Sequence, residues 1–119
     1  MKVKKKLLSL IGVAVMVCMM SNAALASSAG LTANITPDYI SARYEYSQMG
    51  NVLIVKIDFT EKHTTTGQVH SSSCQSSLAG GYTSVSVGRN ADAGYKYTTM
   101  TAYGYVGGTQ KAKLGPLYP

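Results

Sequence analysis

Apolar and polar residues alternate along two segments near the middle of the chain, 39–46 and 52–59. The apolar residues that share a face are Ile40, Ala42, Tyr44 and Tyr46 in the first segment, and Leu53, Val55, Ile57 and Phe59 in the second. A period of two predicts a β-strand in each segment. The short connection 48–51 contains Gly50-Asn51, so we expect the two strands to form an antiparallel hairpin.

The rest of the chain after residue 27 also favours strands over helices. Residues 60–77 are rich in threonine and serine and predict two polar strands that meet near Gly67, and residues 82–87 alternate again. Gly107-Gly108 predicts a turn before a last short strand, 109–114, which we expect to end before Pro116. Six or seven short strands without a helical period predict an all-β fold, a small antiparallel β-sandwich of immunoglobulin-like or jelly-roll-like type.

One predicted strand, "YKYTTMTAYGYV" at residues 95–106, carries four tyrosines at odd positions: Tyr95, Tyr97, Tyr103 and Tyr105. Its even positions include Met100, Ala102 and Val106, so either face could point into the core. Buried tyrosines would simply stabilise the sheet. Exposed rings in a row would instead suit the binding of sugars, peptides or another sheet, and these four tyrosines are our candidate binding residues.

The first 26 residues have the pattern of a secretory signal peptide. Four lysines precede a run of 14 uncharged residues, 7–20, and Ala24-Leu25-Ala26 supplies small residues for a cut before Ser27. The run is shorter than the roughly 20 residues of a membrane span, so we expect a secreted, extracellular protein with no span in its mature chain. Residues 27–37 lack periodicity and predict a flexible lead, able to join a sheet edge late in folding, before a single sandwich domain, 38–119.

Removal of residues 1–26 changes the charge and the cysteine count. Seven of the 11 basic residues remain against five carboxylates, which gives a net charge of +2 in place of +6. The remaining basic residues are scattered, which argues against nucleic acid as a partner. Cys18 leaves with the signal peptide, so Cys74 has no partner for an internal disulfide.

The sequence has no pattern typical of catalysis, of a metal site or of a cofactor site. On an extended chain His63 and His70 face opposite sides, while His70 and Cys74 lie roughly 13 Å apart. Asp58 and Glu61 are expected at a solvated turn where a strand ends. We therefore predict a protein that is not an enzyme, with no catalytic residue, metal or cofactor.

Several short segments resemble the small secreted β-sandwich proteins of Firmicutes. They are the lysine-rich signal, the "ALASS" junction, "YSQMGNVLIVKI" and "TTMTAYGYVGGTQ". The resemblance implies export from a Gram-positive cell and a sandwich fold, and it assigns no functional residue. Secreted bacteriocins of sandwich type are similar in size and export route, but this chain lacks their tryptophan and strong positive charge.

Three kinds of function follow from these observations. The first is a non-catalytic binding module whose partner is a cell-wall glycan or a surface protein. The second is a bacteriocin-like antagonistic protein. The third is an exoenzyme, which the absence of an acid/base constellation in residues 27–119, after the signal peptide, disfavours. A variant of the first is a self-associating surface or matrix protein, if the tyrosine strand lies at a sheet edge, because that strand has high β-propensity, one charge and no proline.

Overall fold

The computed structural model describes residues 24–48 and 50–119, and within them every regular element is a β-strand. The eight strands are β1 (Ala24–Ser28), β2 (Leu31–Ile35), β3 (Tyr39–Glu45), β4 (Leu53–His63), β5 (Val69–Leu78), β6 (Ser84–Asn90), β7 (Tyr95–Val106) and β8 (Thr109–Leu117). All strand pairs are antiparallel. The predicted all-β class is confirmed, with eight strands instead of six or seven.

The strands form two four-stranded sheets that face each other. The first sheet has the order β1-β2-β3-β6 and the second the order β5-β4-β7-β8. β6 lies over β4 and β5 on one side of the sandwich, and β1 lies over β8 on the other. The largest apolar side chains that fill the core between the sheets are Leu31, Ile35, Ile40, Tyr44, Leu53, Ile57, Phe59, Tyr97 and Met100.

The predicted hairpin between segments 39–46 and 52–59 is wrong, although both strands exist. β3 pairs with β2 and β6, whereas β4 pairs with β5 and β7, so the two strands belong to different sheets. Their apolar faces are buried as the alternation predicts, but they are buried against each other across the core. The connection between β3 and β4 therefore crosses from one sheet to the other. At its start Tyr46 N–H donates to Thr83 O, next to β6 of the first sheet, and at its end Val52 O accepts from Gly107 N–H, next to β7 of the second sheet.

The expectation of a flexible lead at residues 27–37 is also wrong. This segment contains β2, which pairs with β1 on one side and β3 on the other. Leu31, Ala33 and Ile35 are buried, and their alternation is a short strand signal that the small residues around it conceal. Residues 1–23 of the predicted signal peptide lie outside the described residues, and the predicted cut before Ser27 falls inside β1.

β8 is longer than predicted and continues through Pro116 to Leu117, which lies opposite Met100. An edge strand tolerates proline because only one of its sides forms a ladder. β7 lies between β4 and β8. Both of its backbone edges are therefore paired, which excludes self-association through the tyrosine strand.

In the described part of the chain no helix has the length and apolar character needed to span a membrane.

Candidate functional site

The tyrosine row of β7 is divided by an irregularity in strand pairing. Thr60 of β4 lies opposite Thr99, but the next residue, Glu61, lies opposite Tyr97, so Thr98 is an additional residue in β7. An additional residue shifts the alternation of side chains by one. Odd positions before Thr98 and even positions after it therefore point into the core, and the four tyrosines do not form one row.

Tyr97 belongs to the core, and its prediction as a binding residue is wrong. Its side chain is only 2% exposed, and its ring meets that of Phe59 edge-on with 5.5 Å between the centroids. Its hydroxyl accepts a hydrogen bond from Arg89 Nη1 at 2.7 Å and donates to Arg89 O at 3.2 Å. Burial raises the pKa of the Tyr97 hydroxyl, an effect that the hydrogen bond from Arg89 opposes.

Tyr95 lies at one end of the sandwich between the two histidines. Its ring stacks on His70 with 4.3 Å between the centroids and meets His63 edge-on at 5.0 Å. Its hydroxyl is hydrogen-bonded to His70 Nε2 at 2.9 Å. The expectation that the two histidines face opposite sides is wrong, because both rings contact the ring of Tyr95.

Tyr103 and Tyr105 lie on the outer face of the second sheet, half-buried, with 6.5 Å between their ring centroids. Lys56 of β4 is opposite Tyr103, and its Nζ lies 6.0 Å from the centre of that ring. Lys113 of β8 is opposite Tyr103 on the other side. These two tyrosines are the part of the predicted row that remains available to a ligand.

A depression of about 450 Å³ lies on β4, β5 and β7; neither ring lines it, and its lining residue next to them along β7 is Thr101, two residues before Tyr103. Its lining consists of Asp58, Phe59, Thr60, Ser71, Ser72, Ser73, Thr99 and Thr101, of which only Phe59 is an apolar residue. Asp58 and Thr101 lie directly opposite each other. Each is two residues along its strand from Lys56 or Tyr103 and so lies on the same face of the sheet. We call the two tyrosines and this depression together the outer binding face.

The threonines at one end of this face are fixed by hydrogen bonds. The hydroxyl of Thr60 is 2.6 Å from that of Thr98 and 2.7 Å from that of Thr99. Thr98 also donates to the backbone oxygen of Thr60 at 3.3 Å. Thr98 thus holds Thr60 at the edge of the depression by hydrogen bonds. It also separates Tyr95 and Tyr97 from Tyr103 and Tyr105 in the strand.

A second group of polar residues, which we call the ion cluster, lies near Tyr97. Glu61 is only 1% exposed, and its Oε2 atom accepts from Arg89 Nη1 at 3.4 Å and from Asp92 N–H at 3.2 Å. Arg89 also binds Asp92 Oδ1 at 2.8 Å and covers the ring of Phe59 at 4.4 Å. The expectation that Glu61 lies in a solvated turn is wrong. It continues the odd, inward positions of β4, which is the sequence signal for its burial.

Glu61, His70 and Asp92 place possible metal-ligand atoms within 4.8 Å of one another. However, the Arg89 guanidinium already pairs with both carboxylates, and its positive charge would repel a cation bound beside it. The pKa of the Asp92 carboxyl is lowered, first by hydrogen bonding with Glu61 and then by the charge of Arg89. This arrangement is that of an ion-pair network in which Glu61 is buried while Arg89 and Asp92 reach the surface, and it links β4 to β6 at the end of the sandwich.

Sequence reasoning identified Tyr103 and Tyr105 but not the polar residues beside them. Lys56 and Asp58 gave a weak signal as the outward residues of an alternating strand. The position of β5 next to β4 could not be deduced, and it is this pairing that brings Ser71 and Ser73 to the depression.

Comparison with protein-family models, with curated proteins and with solved structures gives no match for this chain.

Proposed function

We propose that the chain is a secreted, non-catalytic module that binds a cell-wall glycan on the outer binding face. The observation that carries the proposal is the pair of adjacent rings, Tyr103 and Tyr105, beside a depression lined by hydroxyls and one carboxylate. The N-terminal pattern of a signal peptide supports secretion, and the resemblance to secreted proteins of Firmicutes suggests the wall of a Gram-positive cell as the setting.

The chemistry of this face suits a chain of sugar rings. Each sugar has an apolar C–H surface that can lie on an aromatic ring, and hydroxyl groups that need hydrogen-bonding partners. Tyr103 and Tyr105 offer the rings, while Ser71, Ser73 and Thr101 offer hydroxyls that both donate and accept. Asp58 adds a carboxylate, which forms stronger hydrogen bonds with sugar hydroxyls.

The position of the face on the sheet supports binding without a large conformational change. β7 is paired on both sides, and the inner face of the strand packs into the core. The two rings are therefore held on a rigid platform, which lowers the entropy that is lost when a ligand binds.

Co-sedimentation with isolated Gram-positive cell walls tests the proposal. We compare the chain of residues 24–119 with a Tyr103→Ser/Tyr105→Ser variant and with a control, Tyr82→Ser, whose side chain is 55% exposed in the loop before β6. We expect wild type and control to sediment with the walls and the double variant to lose at least tenfold in affinity.

Circular dichroism and urea unfolding of all three proteins show whether each is folded. Failure of the folded wild type to sediment would refute wall binding. Binding by the folded double variant that equals that of the control would show that the outer binding face is not the site.

A further inference from the structure

We propose that two copies of the chain pair along β5 and form a dimer with one continuous sheet. β5 is an edge strand of the second sheet, so one of its backbone sides has no neighbouring strand among the described residues. It has ten residues and contains no charged residue, no glycine and no proline. Such an edge is a template for another strand.

The other sheet edges differ from β5 in features that prevent strand addition. β8 carries Lys111, Lys113 and Pro116, and charges and proline are the usual protection of an edge. β6 includes Gly88 and the charged Arg89 of the ion cluster, and β1 is only five residues long. Among the four edges of the described sandwich, β5 alone combines length with the absence of charge.

The sequence of β5 fits a second copy of itself. In an antiparallel pair with a twofold axis at Cys74, residues of the same sheet face lie opposite each other, as a continuous sheet requires. The resulting pairs are Cys74 with Cys74, Ser73 with Gln75, Ser72 with Ser76, Ser71 with Ser77 and His70 with Leu78. No pair places like charges together, and the exposed Leu78 gains a partner.

The packing of the two sheets leaves this side of the sandwich open to a second copy. β6 is the edge of the first sheet and lies over β5, so both edges are on the same side of the sandwich. Pairing at β5 therefore also brings the two β6 strands near each other. The outer binding faces of the two copies then lie on the same surface, and for a repeating polymer this adds avidity if the proposed function holds.

Sedimentation velocity over a concentration series, without glycan, tests the dimer. The variant Ser73→Lys/Gln75→Lys places lysines of both copies against each other at exposed positions of β5. The control Thr109→Lys/Gln110→Lys adds the same charge at exposed positions of the β8 edge. We expect wild type and control to dimerise and the β5 variant to weaken dimerisation at least tenfold.

Two results overturn the proposal: a monomeric wild type at the highest concentration, or a folded β5 variant that dimerises as well as the control. Because no glycan is present, failure here is separate from failure of wall binding.

Crosslinking at Cys74 tests the register. Opposite Cα atoms in an antiparallel pair lie about 4.5–5.5 Å apart, within the range that a disulfide bridges. Diamide takes two electrons and two protons from the two thiols, which leaves a disulfide and the reduced hydrazine. We expect a covalent dimer from wild type and none from Cys74→Ser. A dimer that Ser73→Lys/Gln75→Lys disrupts but that diamide does not crosslink overturns the twofold axis at Cys74.

Discussion

Gly104 is the position on β7 where the ring of Tyr44, from the other sheet, comes closest. A Cβ atom on Gly104 would lie 2.6–2.8 Å from three ring atoms of Tyr44, and this contact is too short for either sheet to accept without moving. We expect Gly104→Ala to lower the free energy of unfolding by about 1–3 kcal/mol, measured by urea unfolding. Gly81→Ala is the control, since nothing lies within 4 Å of its Cβ. Equal stability of the two variants would contradict this packing.

The buried carboxylate of Glu61 depends on Arg89 for its charge partner. We expect Arg89→Met to lower the free energy of unfolding by about 3–5 kcal/mol, because it leaves a buried charge uncompensated. Glu61→Gln/Arg89→Met removes both charges and should lose less than the single variant. Urea unfolding of the two variants, with Glu61→Gln completing the cycle, measures the coupling. A double variant less stable than Arg89→Met would refute the pairing.

The buried tyrosines of the core make the free energy of unfolding depend on pH in the alkaline range. Burial raises the pKa of Tyr44 and of Tyr97 above the ordinary value of 10.0. Because the folded state holds these protons more tightly than the unfolded state, the stability they contribute is present below pH 10 and is lost as pH rises through the raised pKa.

Urea unfolding at a series of pH values, with tyrosinate absorbance in parallel, checks this expectation. The fall in stability above pH 10 should be smaller in a Tyr44→Phe/Tyr97→Phe variant, which has no buried hydroxyl to ionise. Two identical pH profiles would show that these hydroxyls are not the cause.

At the scale of single strands, the sequence predicts which residues are buried better than it predicts which strands are neighbours. The alternation of β3 and β4 correctly assigns Ile40, Ala42, Leu53 and Val55 to the core. It does not distinguish two strands in one sheet from two strands that face each other across a sandwich, because both arrangements bury the same side. The short connection 48–51 suggested the first arrangement, and the chain adopts the second.

β1 gives a prediction about the N-terminal boundary of the folded chain. Ala24, Leu25 and Ala26 pair with three residues of β2, and a chain that begins at Ser27 lacks these pairs. We expect residues 27–119 to be less stable than residues 24–119 by roughly 1–3 kcal/mol, from the loss of two or three backbone hydrogen bonds. Urea unfolding of the two purified chains measures the difference. Equal stability would mean that only the last two residues of β1 matter.

At the scale of the whole molecule, the sandwich separates the polar residues into two regions with different roles. The ion cluster supports one end of the core, and the outer binding face lies on the opposite side of the second sheet from that core. The sequence predicts the tyrosine half of this face, since ring-bearing residues in a strand are conspicuous. It does not predict the serine half, because β5 reaches the face only through its pairing with β4.

The additional residue Thr98 also has a consequence for how this strand varies among homologous chains. Substitutions that preserve the fold should keep inward-facing residues apolar or aromatic at odd positions before Thr98, and apolar or small, as Ala102 and Gly104 are, at even positions after it. The inward positions are therefore odd in the first part of β7 and even in the second part. A one-residue deletion near Thr98 would turn the side chains of one part from the core to the outer face, and those on the outer face into the core. Gaps at this point should be much rarer in evolution than gaps in the turns at either end of β7.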